Sequence, residues 1–210
     1  MGKWKTLCLT VPALFVISSQ NASAVLIEFE DLPLNNMYNV GLSFTTSGVQ
    51  MQVEEFYPVV GDPLYGIAKV DNFGYAGGSG QELTLNNANL KFLLNFDSCP
   101  DCGLSLLFYD MQGDINLGIN DDVKKAANFT GLPMIIGGAQ VFVGGGYPYG
   151  IIYITGGNIQ SFTIGGQQLY IDNITTVPEP ATIMLLGLGS LGLLRNRKNK
   201  TCSELNENDD

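Results

Sequence analysis

Histidine is absent from all 210 residues. That removes the commonest general base, the commonest imidazole metal ligand, and the Ser-His-Asp and Cys-His arrangements of nucleophilic catalysis. Zinc catalysis of the familiar kind lacks its ligands too. Positive charge is scarce. Residues 25–177 hold four lysines and no arginine against fifteen aspartates and glutamates. Such a surface repels phosphate backbones, so nucleic acid is excluded as a partner. Helical periodicity is missing from the same stretch, apart from a turn or two expected within 121–128. Cysteine is sparse as well: four in all, of which Cys8 and Cys202 lie in the segments at the two ends.

Those end segments are where the long apolar runs sit. At the start, Lys3 and Lys5 precede an apolar stretch over 7–17, and Ala22-Ser23-Ala24 supplies a small-x-small cleavage site. This is the pattern of a secretory signal peptide covering 1–24, recognised by the general secretion machinery, and it plays no part in the fold. The mature chain is expected to begin at Val25. At the other end, 181–194 carries no charge. As a helix it would rise about 21 Å at 1.5 Å per residue, short of a free-standing span. Snorkelling of Arg195, Arg197, Lys198 and Lys200 extends its reach. Those cations place the end that follows in the cytoplasm. Gly187-Leu188-Gly189-Ser190-Leu191-Gly192 fits G-x-G-x-x-G, but a dinucleotide site requires a strand-to-helix turn and a later acidic ribose ligand. Small residues that let helices pack closely in lipid are the better account.

The order Pro178-Glu179-Pro180, then an apolar run containing Gly187 and Gly189, then Arg195-Asn196-Arg197, resembles the PEP-CTERM sorting signal. The resemblance spans 177–200, with a transmembrane helix over 181–194 and an acidic tail at 201–210 beyond the usual end of such signals. It implies export, recognition by an exosortase in the inner membrane, and cleavage near the Pro-Glu-Pro. It further implies a membrane-anchored precursor and a mature form at the cell surface or in the extracellular matrix, with exopolysaccharide as a candidate partner.

Between the two addresses, 25–176 has the length of one ordinary domain with its own core. Short alternating runs recur along it: 25–30, 42–46, 49–53, 81–85, 89–96, 103–109, 114–120, 140–143, 151–155, 159–164 and 168–175. Gly-Gly and Asn-Asn punctuation falls between them, and this spacing predicts an all-β, antiparallel β-sandwich ectodomain. The runs at 89–96 and 103–109 read as a hairpin across Cys99-Pro100-Asp101-Cys102. Outside the cytoplasm that C-x-x-C favours a turn-closing disulfide over a redox pair.

Candidate sites are few. Glu28 and Glu30 lie in the first expected strand and Asp172 in the last. This pairing resembles the jelly rolls of carbohydrate-binding modules, which hold a structural Ca²⁺ with acids of their terminal strands, and hard oxygen ligands suit that ion. Solvated polar residues on edge strands are the plainer account. Tyr147 and Tyr149, flanking Pro148 in a glycine-rich loop, form a candidate binding lip, since exposed aromatics stack on sugar rings. The residues around Asp114, Asn116 and Asp121 do not match a calcium-loop pattern, because Gly118 falls where a third ligand belongs. The chain therefore reads as a non-catalytic envelope or matrix protein. A surface-delivered carbohydrate-binding module is the alternative, and a carboxylate-based glycoside hydrolase ranks third.

Intact-mass analysis of the exported protein is expected to give a chain starting at Val25 and lacking everything past the Pro178 region. Recovery of a product that keeps the acidic tail would contradict this.

Overall fold

The computed structural model describes residues 24–78, 80–93 and 103–177. Ala22, the disulfide candidates Cys99 and Cys102, the motif residues Pro178, Glu179, Pro180, Gly187, Gly189, Arg195 and Arg197, and the expected helix over 181–194 lie outside them. Among the described residues there is no α-helix, and none long and apolar enough to cross a membrane.

Thirteen strands follow one another: β1 (Leu26–Ile27), β2 (Met37–Asn39), β3 (Ser43–Thr46), β4 (Val49–Glu55), β5 (Ile67–Asp71), β6 (Glu82–Asn86), β7 (Ala88–Leu93), β8 (Gly103–Ile119), β9 (Asp122–Ala126), β10 (Ile135–Ile136), β11 (Ala139–Gly146), β12 (Tyr149–Thr155) and β13 (Phe162–Val177). A single 3-10 turn, Phe129–Gly131, is capped by the Asn128 side chain. All pairings are antiparallel, as the alternating pattern predicts.

Two long strands organise the whole. β8 and β13 pair from Gly103↔Val177 to Ile119↔Phe162. Their Gly103 end lies in the order β10-β11-β12-β8-β13-β6-β5-β2, with β1 also on β13. Their Ile119 end lies in the order β9-β8-β13-β7-β4-β3. The result is a sandwich whose two sheets share their central strands. One core runs through both, with Leu104, Leu106 and Phe108 from one half of β8 and Ile115, Leu117 and Ile119 from the other.

The structure departs from the sequence reading at definite points. The runs at 103–109 and 114–120 are one strand, as are 159–164 and 168–175. A glycine at φ +93°, Gly113, and register shifts between Gly166 and Leu169 carry the ladder through its bend. The expected hairpin of 89–96 with 103–109 does not form, because β13 lies between β7 and β8. The first strand stops at Ile27, where Phe29 enters the left-handed region at φ +61°. Its facing is nonetheless as expected, with Ile27 and Phe29 buried and Leu26 and Glu30 exposed. The helical turn expected within 121–128 is β9, whose residues find ladder partners in Ile115–Ile119. β2, β5 and β10 fall outside the runs expected from the sequence.

At the centre, Gly165 of β13 is the register partner of both Asn89 and Asn116. Asn116 Nδ2 donates to Asn89 Oδ1 at 3.1 Å over it, and Asn89 Nδ2 donates to the Glu55 carbonyl at 2.7 Å. A Cβ on Gly165 would lie 1.8 Å from Asn89 Oδ1 and 2.7 Å from the Ala88 carbonyl oxygen. Gly165→Ala is therefore expected to destabilise the fold by about 1–3 kcal/mol through overpacking. This should lower the melting temperature by roughly 2–4 °C per kcal/mol for a chain of this size. Circular dichroism melts against Gly146→Ala, where an added Cβ meets open space and φ is not in the left-handed region, give the comparison.

Candidate functional site

Outward-facing residues of the sheet built on the Gly103 half of β8 form a row set by register. Tyr149 of β12 pairs with Tyr109 of β8, Tyr109 with Tyr170 of β13, Tyr170 with Thr84 of β6, and Thr84 with Lys69 of β5. The Tyr109 and Tyr149 rings lie 4.8 Å apart by centroid, and Tyr75 adds a third ring 5.3 Å from Tyr109 and 5.1 Å from Tyr170. Phe73 stacks on Tyr75 at 5.4 Å. Phe73, Tyr75 and Tyr149 remain exposed, as does Tyr153 further along β12. Contiguous exposed aromatic surface of this kind is a candidate interaction surface.

Of the two tyrosines nominated from the sequence, Tyr149 belongs to this row. Tyr147 is highly exposed at the β11–β12 turn, and its hydroxyl donates to the Met111 carbonyl at 2.8 Å. The sequence did not disclose Tyr75, Tyr109 and Tyr170 as partners of Tyr149. Each sits at an outward position of its segment, but only strand register puts them side by side.

Beside the aromatic row runs a row of acids. Asp71 pairs in register with Glu82, and Asp172 of the neighbouring strand is close enough for Glu82 to act on it. All three are buried. The connection between β5 and β6 folds back over them. Glu82 accepts from the backbone N–H groups of Tyr75 and Ala76, at 3.2 and 2.8 Å. Asp71 accepts from Lys69 Nζ at 2.5 Å and Thr84 Oγ1 at 2.7 Å. A Cβ on Gly78 would fall 1.6 Å from Asp172 Oδ2, so only glycine lets this loop close over the carboxylate. Burial pushes the Asp172 carboxyl up to about 7; the Asn173 N–H opposes this, and the charges of Glu82, Glu28 and Glu30 add to it.

Of the candidate calcium ligands, Glu28 and Glu30 lie close enough to Asp172 for their charges to act on it. The terminal strands do pair, Leu26 with Thr175 and Ile27 with Ile174. Yet among the described residues no group of three or more Asp, Glu, His or Cys side chains is gathered to hold a metal ion. Glu30 is turned to the Gln81 N–H, 2.6 Å away, and Asp172 to the Asn173 N–H, 2.7 Å away. The oxygen-rich stretch around residue 120 is structural. Asn120 accepts from the Gln160 N–H and donates to the Asn158 carbonyl, both at 2.7 Å, while Asp121 and Asp122 pair with Lys91 and Lys124.

One acid of the oxygen-rich region, Asp110, stands apart from the rest. Asp110 ends the inward series Leu104, Leu106, Phe108, and burial alone raises its carboxyl to about 6. The signal was legible: an acid at the next inward position of an alternating strand.

Against known proteins, residues 176–198 match the PEP-CTERM protein-sorting motif. No curated protein and no solved structure matches the chain. The motif marks an exported protein whose membrane-anchored precursor is processed by an exosortase and sorted to the cell surface. The jelly-roll likeness of the body gains nothing from these comparisons.

Asp110 and Asp172 bind protons more tightly folded than unfolded, where they titrate near 3.8. Between about pH 4 and pH 7 the native state holds more protons, so stability falls as pH rises through that window. Below it, Asp31 and Asp122 act oppositely: hydrogen bonds from Thr46 and Lys124 lower them, and that stabilisation is lost on acidification. The melting temperature is expected to peak near pH 4–5 and fall by roughly 5–10 °C towards pH 8. Asp172→Asn should flatten that fall. A melting temperature constant across the range would contradict the assignment.

Proposed function

We propose that the chain is a non-catalytic glycan-binding protein of the cell envelope or extracellular matrix, delivered by its exosortase-type tail. The observation that carries the reading is the aromatic row of Phe73, Tyr75, Tyr109 and Tyr149 on one outer sheet face. Aromatic rings bury the apolar faces of sugars while tyrosine hydroxyls hydrogen-bond their polar rims. Strand register fixes the row before any ligand arrives, which limits the ordering cost of binding. An exported protein meets exopolysaccharide at its destination, so the address and the surface agree.

Hydrolysis is the less favoured reading. Two carboxylates must flank one glycosidic bond. The two acids with strongly raised pKa values face opposite sides of their sheet, Asp110 inward and Asp172 outward under the β5–β6 loop.

Affinity co-sedimentation with insoluble polysaccharides and glycan-array binding test the proposal. Phe73→Ala together with Tyr149→Ala, both at exposed rings, is expected to weaken retention by roughly tenfold or more without lowering the melting temperature. Failure of the unaltered protein to bind any glycan would overturn it.

A further inference from the structure

On the inner side of the same sheet, a cavity of about 80 Å³ lies between β8, the β11–β12 hairpin and the 3-10 turn. Its walls include Phe108, Phe129 and Val143, with the backbone of Gly144 to Gly146 and Tyr147 at its rim. The Phe108 and Phe129 rings lie 4.2 Å apart by centroid. Asp110 also lines it, is 2 % exposed, and has one carboxylate oxygen, Oδ1, buried without a hydrogen-bond partner.

A buried carboxylate without a counter-charge is costly. The described residues supply none. Among the described residues Lys69 is paired with Asp71, Lys91 with Asp121 and Lys124 with Asp122, and Lys125 lies over the Tyr57 ring. On the 3-10 turn, Asn128 Oδ1 accepts from Thr130 Oγ1 at 2.7 Å and from the Gly131 N–H at 3.2 Å. A hard metal ion would require six or more oxygens, and this wall offers phenyl rings. The size is also informative. It is about half the ~150 Å³ of an engineered apolar cavity that admits benzene, enough for a short alkyl stem and too small for a sugar ring.

We propose that this cavity binds the ammonium end of a small aliphatic amine, with Asp110 as its counter-ion and Phe108, Phe129 and Val143 around its alkyl stem. Tyr149 borders both this cavity and the aromatic row, but Asp110 faces inward and takes no part in the row, so Asp110→Asn tests amine binding apart from glycan binding. An ammonium near phenyl faces also gains cation–π attraction. The same chemical group can come from a free polyamine or from a lysine side chain of another protein.

Isothermal titration of the full chain with butylamine, against butanol as the uncharged analogue, tests the site. Butylamine is expected to bind at least tenfold more tightly than butanol, and Asp110→Asn should abolish that preference while leaving the circular dichroism spectrum unchanged. A second measurement requires no variant. Binding to the unaltered protein should weaken about tenfold per pH unit below pH 6, as Asp110 takes up its proton. The groups facing Asp110 do not compete: Tyr147 and Tyr149 are phenols, the 3-10 turn contributes Asn128, Phe129 and Thr130, and its register partner on β13 is Leu169. Spermidine and an N-acetyl-lysine amide then separate the two sources, tighter binding of either supporting the site and naming its ligand. Equal affinity for butylamine and butanol, unaltered binding by Asp110→Asn, or no binding of any amine would overturn the proposal.

Discussion

The ladder between β8 and β13 is the constraint from which the rest follows. These two strands are hydrogen-bonded to each other through both layers, and every other layer is added to one flank or the other. A pair that passes from one sheet to the next must bend at the same height in both strands. Gly113 supplies the bend in β8 and the shift between Gly166 and Leu169 supplies it in β13. Gln167, displaced from the ladder, returns its side-chain oxygen to the Asp114 N–H at 2.8 Å. A backbone donor that the bulge would orphan is thereby satisfied. The phase of inward residues changes across the same point, from Leu106 and Phe108 to Ile115 and Leu117. Both sheets therefore present apolar faces to one core.

This is also why the fold was legible in kind but not in connection. Period-two alternation is a property of each strand by itself, so 49–53, 81–85 and 151–155 could be read directly, as could the inward face of Ile27 and Phe29. Pairing is a property of two strands at once. The insertion of β13 between β7 and β8 depends on Gly165 leaving room for the Asn89–Asn116 hydrogen bond, a three-body condition invisible along one chain. The merged strands were misread for a related reason: a bulge glycine and a turn glycine look alike in sequence. Of the site, Tyr149 was legible because it lies between Pro148 and Gly150 in a glycine-rich loop. Tyr109 was not, since mid-strand tyrosines ordinarily pack.

The sheet at the Gly103 end is used on both sides, and the two sides are chemically unlike. Outside, register places Tyr149, Tyr109 and Tyr170 in line, and the β5–β6 loop adds Tyr75 and Phe73 while covering Asp71, Glu82 and Asp172. Hydrogen bonds from Lys69, Thr84 and backbone N–H groups satisfy the first two of those acids. Inside, Asp110 has no such arrangement. Residues 25–177 hold fifteen acids and four lysines, and among the buried acids only Asp71 has a lysine, Lys69; the others are met by neutral donors, by a proton or by something from outside. Glu82 takes the first route and Asp172, held near neutrality by burial and neighbouring acids, the second.

The sorting motif and the body meet at a single strand. The match begins at residue 176, while β13 runs on to Val177. Thr176 is therefore both the start of the address and part of the central strand, buried and doubly tied to Val25: its N–H donates to the Val25 carbonyl and its hydroxyl accepts from the Val25 N–H, each at 2.9 Å. Val25 is the residue expected to become the new N-terminus. The two ends of the body thus leave it side by side, from the same pair of strands. Proteolysis beyond Pro178 then removes no residue of the β8–β13 ladder, whereas a cut two or three residues earlier would take Thr176 and its clasp on β1.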